Sequence, residues 1–215
     1  MDLLIQKYRN IRGGEYSIPG TNLRYIPIPK NACTSFKYFL YLRKYKHHFP
    51  LKNWNRHRAI SVHSFFPAHP VKRKLKTNKK YIVLVRDPIE RFVSIYKNRV
   101  TYHRDLEREG IYNQTISFDQ FLCEFDEIRR VSRTIRHHAQ SQVKYCEFAQ
   151  DQSYLLLDIK SKAFDNILSK NNIPSLPRLQ TGGGNFDIQL SKLQTLKIQT
   201  LFADDCEFYA KNKIF

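Results

Sequence analysis

Two stretches of the chain carry residue types at spacings that could hold phosphate. The first is Pro29-Lys30-Asn31-Ala32-Cys33-Thr34-Ser35, which follows the apolar run Leu23-Arg-Tyr-Ile-Pro-Ile28. Backbone N–H groups at the start of a helix form a ready anion site. Small residues at 32 and 33 let a phosphate reach the backbone, Thr34 and Ser35 offer hydroxyls, and Lys30 adds a point charge. The GxxxxGK[ST] pattern is absent and the loop has no glycine, so nucleoside triphosphate chemistry with Mg²⁺ loses support. The second stretch is Val85-Arg86-Asp87-Pro88-Ile89-Glu90-Arg91-Phe92-Val93-Ser94. Arg86 leaves the end of an apolar strand, the place where open α/β sheets bind ligands. Ser94 follows two helical turns later, and an Arg and a Ser that converge could hold a phosphate monoester. Each stretch alone also fits a plain strand-to-helix junction. On that reading Thr34 caps one helix, Asp87 caps the other, Arg86 is a solvated strand end, and Glu90 and Arg91 are surface charges.

These residues need strands and helices to place them. Leu23–Ile28 reads as a short buried strand, and the helix after it runs to about Lys46. Tyr81-Ile-Val-Leu-Val85 is a continuous apolar, β-branched run, the pattern of a parallel strand covered on both faces. Pro88 suits the first turn of a helix over about 88–101, which puts Ile89, Phe92, Val93 and Tyr96 at helical spacing. Ser117-Phe118 starts a helix to about Glu127. Tyr154–Asp158 is a third strand, Lys162–Asn171 a helix, and 189–212 one or two helices. Strands alternating with helices predict an α/β domain with a parallel sheet. The reading is one domain over 1–215, with residues 1–20 a loosely ordered lead-in that turns at Pro19-Gly20.

Composition narrows the functional classes. The chain has 215 residues, enough for a full core, with 41% hydrophobic and 13% aromatic residues. No apolar run is long enough to span a membrane, and the N-terminus does not read as a signal peptide. Cys33, Cys123, Cys146 and Cys206 stand far apart with no CxxC pair, which argues for free thiols in a reducing compartment. Cys33 reads as a small loop residue, since no partner would activate its thiol. Lys and Arg total 37 against 19 Asp and Glu, a net charge of +18 that attracts polyanions. Those include nucleic acid, anionic lipid, phosphorylated cofactors and acidic glycans, and charge does not choose among them. No helix-turn-helix, zinc-finger, KH or ribonucleoprotein signature is present, so nucleic-acid binding without catalysis stands as the alternative class.

Taken together, the two turns resemble the sulfotransferases that use 3′-phosphoadenosine 5′-phosphosulfate, the carbohydrate type in particular and of bacterial type. Pro29–Ser35 looks like the family's 5′-phosphosulfate loop, and Val85–Ser94 like its 3′-phosphate motif. The loop followed by Phe36 is similar to uronyl 2-O-sulfotransferases. Lys80–Arg99, His138…Gln142, Asp158-Ile159-Lys160 and Leu201–Tyr209 are similar to chondroitin and dermatan 4-O-sulfotransferases. The resemblance implies a three-layer, P-loop-like sulfotransferase fold around a central parallel β-sheet.

It also implies roles. Lys30 would stabilise charge on the leaving nucleotide, and Asn31, Ala32, Cys33, Thr34 and Ser35 would cradle the 5′-phosphate. Arg86 and Ser94 would hold the 3′-phosphate, and Gly183 of Gly182-Gly-Gly184 lies where a late loop closes over the nucleotide. The candidates for general base are His63, which falls between the motifs, and His138, in His137-His138-Ala-Gln-Ser-Gln142; His63 is favoured. His47, His48, His57 and His69 read as exposed. No metal is expected, because a sulfuryl group carries less charge than a phosphoryl group. The expected acceptor is a carbohydrate hydroxyl on a polysaccharide, oligosaccharide or glycolipid, acidic or lipid-linked. The basic run Lys72–Lys80 is a candidate acceptor contact, and the expected location is cytoplasmic, at the inner face of the membrane.

Overall fold

The computed structural model describes residues 14–47, 62–66, 68, 80–146, 154–173, 176 and 187–212. In chain order the elements begin with β1 (Tyr16–Ser17), β2 (Leu23–Ile26), α1 (Cys33–Tyr45), α2 (Val62–Phe65) and β3 (Lys80–Val85). Next come α3 (Pro88–Ile95), a π-helical segment (Tyr96–Tyr102), α4 (Asp105–Arg108), α5 (Phe118–Cys123), α6 (Phe125–Val131) and α7 (Arg133–His138). The series ends with α8 (Val143–Cys146), β4 (Tyr154–Asp158), α9 (Lys162–Lys170), α10 (Lys192–Leu201) and α11 (Ala203–Lys211). Contacts gather these elements into two compact units. One holds residues up to Val85 and Tyr145–Gln180; the other holds Arg86–Lys144 and Thr181–Lys213.

The first unit carries the sheet, in the order β1-β2-β3-β4. β2, β3 and β4 are parallel, with Tyr25 opposite Ile82 and Val85 opposite Asp158. β3 lies between two partners, and Tyr81 to Val85 are all buried, as the unbroken apolar run predicts. β2, β3 and β4 form the expected parallel sheet, and β1 adds an antiparallel edge to it by pairing with β2. The loose lead-in is corrected for its described part, because residues 16–17 join the sheet. The cause is a tight turn. Pro19 fixes one corner, Gly20 adopts φ +80°, and Thr21 N–H donates to Ile18 O at 3.2 Å, a type II arrangement that brings the chain straight back into β2. α1 lays Phe36, Phe39 and Leu40 on this sheet, and α9 adds Phe164 and Leu168. Tyr25 and Phe36 stack with ring centroids 3.9 Å apart, which locks α1 against β2.

The second unit is helical. Pro88 opens α3, and Asp87 caps it by accepting from Ile89 N–H at 2.9 Å and Glu90 N–H at 3.0 Å. The expected 88–101 helix is α-helical only to Ile95 and continues as the wider π-helical segment. The expected 117–127 helix is two helices. Ser117 caps α5, and the chain breaks at Glu124 before restarting as α6. Phe92 lies at the centre of this core, with Phe118, Phe121, Phe125 and Phe202 around it at centroid distances of 5.0–6.0 Å. A capping box of Ser191 and Gln194 starts α10. Among the described residues no helix is long and apolar enough to cross a membrane.

Candidate functional site

In the first unit, β2 delivers the chain to the turn that carries Lys30–Ser35. Lys30 and Ala32 both take left-handed backbone conformations, φ 71° and 51°. Each costs a residue with a Cβ about 1–2 kcal/mol, so something must hold them. Asn31 does so. It is fully buried, and its Nδ2–H donates to Leu84 O at 2.8 Å, tying the turn to the end of β3. α1 then begins at Cys33, with Ala32 as its N-cap residue and no side-chain cap. No acidic residue stands in its first turn. The first N–H groups of a helix need acceptors from outside it, and an anion is one such acceptor. Thr34, expected as the cap, instead lies within that first turn and is buried. Lys30, Ala32 and Ser35 are half-buried, so they border the turn without filling it.

His63, on α2, stands beside this turn. Its Nε2 lies 3.1 Å from Thr34 Oγ1, and its Nδ1 lies 3.1 Å from Lys37 Nζ. Lys37 is one turn beyond Thr34 on α1 and is fully buried. Burial lowers its pKa, with the adjacent Cys33 thiol pulling the other way. Burial also pushes the Tyr25 phenol, beside Cys33, well up, so it stays protonated.

In the second unit, Arg86 is held by its backbone. Gln142, fully buried, accepts from Arg86 N–H at 3.1 Å and donates its Nε2–H to Arg86 O at 2.9 Å. The Arg86 guanidinium pairs with Glu90 at 3.4 Å on the first turn of α3, and Ser94 is half-buried further along that helix. Gln142 is itself positioned from the tail, because its N–H donates to Asp205 Oδ2 at 3.0 Å. Asp205 also accepts from Ser141 Oγ at 2.5 Å and pairs with Arg91 at 3.3 Å. Arg91 donates further to the carbonyls of His138 and Gln140, at 3.1 and 2.6 Å. Arg91 is therefore a buried cation and not the surface charge of the plain-junction reading; α3 turns it inward, where an acid and two carbonyls meet it. His138 Nδ1 lies 3.1 Å from Thr134 O on its own helix, so Nδ1 carries the proton in that bond.

The structure thus brings Lys30, Asn31, Ala32, Cys33, Thr34, Ser35 and His63 together in one unit, and places Arg86, Ser94 and His138 in the other. His47 is exposed, as expected. Gly183, His48, His57, His69 and the basic residues 72–79 lie outside the described residues. All four cysteines are free thiols. Lys37, Gln142 and Asp205 are parts of these arrangements to which the sequence assigns no role. Lys37 had a visible signal: it follows Thr34 by three residues and Cys33 by four, so it shares their helix face. Gln142 and Asp205 lie in stretches that carry the resemblance, but the sequence does not show what they hold, because their partners are distant along the chain.

A family model for the sulfotransferase family matches residues 18–179, the span that holds the Lys30–Ser35 turn, His63, Arg86, Ser94 and Gln142. No curated protein and no solved structure matches the chain. On the family match, which covers more than half of its length, the chain belongs to the sulfotransferase family.

Proposed function

We propose that the protein moves a sulfuryl group from 3′-phosphoadenosine 5′-phosphosulfate to a carbohydrate hydroxyl by in-line transfer. The observation that carries this reading is the turn before α1, held left-handed at Lys30 and Ala32 by Asn31 and opening onto a helix start without a side-chain cap. The first N–H groups of α1, with Thr34 and Ser35, bind the 5′-phosphate. Lys30 meets the negative charge that builds on the bridging oxygen as the bond to sulfur breaks. Arg86 and Ser94 take the 3′-phosphate, with Gln142 fixing the backbone of Arg86. His63, beside the turn, takes the acceptor's proton. The Nδ1 of His138 is committed to its own helix, which favours a structural part for that residue. The acceptor is a polysaccharide, oligosaccharide or glycolipid, and the net charge of +18 suits an acidic one at the inner face of a membrane.

Calorimetry with adenosine 3′,5′-bisphosphate, against AMP and ATP–Mg²⁺, tests the donor. Metal-independent binding that requires the 3′-phosphate is expected. No binding, or preference for ATP–Mg²⁺, overturns the reading and returns the basic surface to nucleic acid. Lys30→Ala should retain much of that binding and lose transfer, by about 10²-fold or more for a lost transition-state contact; an unimpaired rate removes Lys30 from the mechanism.

A further inference from the structure

Lys37 is a fully buried lysine whose Nζ has the His63 imidazole as its hydrogen-bond partner. Among the described residues no carboxylate lies within ion-pair distance of it. A buried ammonium without a counter-charge is strongly disfavoured, and lysine answers by releasing its proton more readily. Among the described residues, the titratable groups beside Lys37 include no carboxylate. They are His63 from α2, the Cys33 thiol one turn back on α1, and the Tyr25 phenol of β2 beside that thiol.

The two charge states of Lys37 have opposite consequences for His63. An ammonium has only N–H donors, so it forces Nδ1 to accept. The proton of a neutral imidazole then sits on Nε2 and points at Thr34 Oγ1, and Nε2 has no lone pair to offer. A neutral amine can accept instead. Nδ1–H then donates to Nζ, and Nε2 carries the lone pair, held by the Thr34 hydroxyl until an acceptor hydroxyl replaces it.

We propose that Lys37 is the positioning residue that decides which nitrogen of His63 carries the proton, and that the Lys37–His63 pair in its neutral form is the proton acceptor of the reaction. The proposal rests on the sulfuryl-transfer reading above. As the acceptor oxygen bonds to sulfur, its O–H bond breaks and an Nε2–H bond forms. The Nδ1–H proton passes to Nζ, leaving Lys37 as the ammonium and His63 neutral. The bond from sulfur to the 5′-phosphate oxygen breaks, and its electron pair leaves with the nucleotide. The pair thus gains one positive charge beside a group that gains one negative charge, which burial makes worth more than it would be in water.

The test is the tautomer of His63, read by ¹⁵N NMR on the whole chain across pH and assigned by loss of the signal in His63→Ala. The expected wild-type result is a change from the Nε2–H form to the Nδ1–H form as pH rises through the apparent pKa of the pair. The transfer rate should rise over the same range. In Lys37→Met that tautomer change should vanish, kcat should fall about 10²-fold as for a lost general base, and the donor KM should stay within about threefold. A folded wild-type protein whose His63 keeps one tautomer throughout overturns the proposal, even if Lys37→Met does not fold. So does a Lys37→Met enzyme with unchanged kcat and pH profile. Failure of the sulfotransferase reading is a separate result, seen in the wild-type calorimetry with adenosine 3′,5′-bisphosphate.

Discussion

Replacing Gln142 with Leu should disable the proposed recognition of the 3′-phosphate without changing Arg86 or Ser94, the residues proposed to contact it. The Gln142 side chain is fully buried and makes two hydrogen bonds to one residue, accepting from Arg86 N–H at 3.1 Å and donating to Arg86 O at 2.9 Å. Leucine has a similar volume, so packing is roughly kept and the change is mainly polar. Each lost hydrogen bond is worth about 1 kcal/mol, and each backbone group left dry costs about 1–3 kcal/mol. Arg86 is only half-buried, so water reaches part of the vacated positions. The low end of that range therefore applies, and the expected loss of folding stability is about 2–3 kcal/mol. Urea denaturation measures it. The functional effect should be larger and more selective. With its backbone released, Arg86 no longer presents the guanidinium in one place, and binding of adenosine 3′,5′-bisphosphate should weaken about tenfold or more, while AMP binding changes little. Placed on an Arg86→Ala background, Gln142→Leu should cost no further affinity, because the residue it positions is gone. A Gln142→Leu protein that loses stability yet keeps full preference for the 3′-phosphorylated nucleotide would refute the reasoning and leave Gln142 a core residue only.

Arg86→Ala and Ser94→Ala should each weaken adenosine 3′,5′-bisphosphate more than AMP in the same calorimetric titration; equal losses for both nucleotides would contradict a 3′-phosphate role. Asp205→Asn should destabilise the fold by about 3–5 kcal/mol, because it leaves the Arg91 guanidinium, 1% exposed, buried without its carboxylate. Chemical denaturation gives that value, and a loss under 1 kcal/mol would mean that the His138 and Gln140 carbonyls satisfy Arg91 alone.

The order of β2, α1, β3, α3, β4 and α9 was legible because each element has a local cause. β3 is an unbroken apolar run, α3 opens with Asp87 and Pro88, and the turn into β2 is written in Pro19-Gly20. β1 was not legible, since two residues carry no periodicity and take their strand character from the turn that aims them at β2. The π-helical segment was not legible either: the apolar spacing of Ile89, Phe92, Val93 and Tyr96 fits an α-helix and says nothing about where the turn widens. At the candidate site, residues proposed for what their own type offers at a turn are visible in the sequence, as Lys30, Thr34, Ser35 and Arg86 are. Residues that act by holding something distant are not. Gln142 meets Arg86 and Asp205 across 56 and 63 positions, and Asn31 meets Leu84 across 53. The inward turn of Arg91 is hidden for the same reason, because its acid comes from 114 residues away.

Asn31 and Gln142 point to a common physical rule. Each is a buried, uncharged amide that ties backbone near a motif proposed to bind phosphate, Asn31 to Leu84 in one unit and Gln142 to Arg86 in the other. An anion site must fix its backbone, because strained or half-exposed groups drift unless something over-determines them. The anchor must not carry charge of its own. A carboxylate there would repel the phosphate, and an ammonium would draw the phosphate off the N–H groups meant for it. An amide donates and accepts with no net charge, so it can hold the chain and leave the local field to Lys30 and Arg86. Phosphate loops built on glycine reach strained backbone by lacking a Cβ. Here Lys30 and Ala32 reach it with side chains in place, at a cost that a buried amide bond helps to offset. The absence of glycine from Pro29–Ser35, which in sequence argues against one kind of phosphate loop, is thus compatible with another kind whose rigidity comes from Asn31.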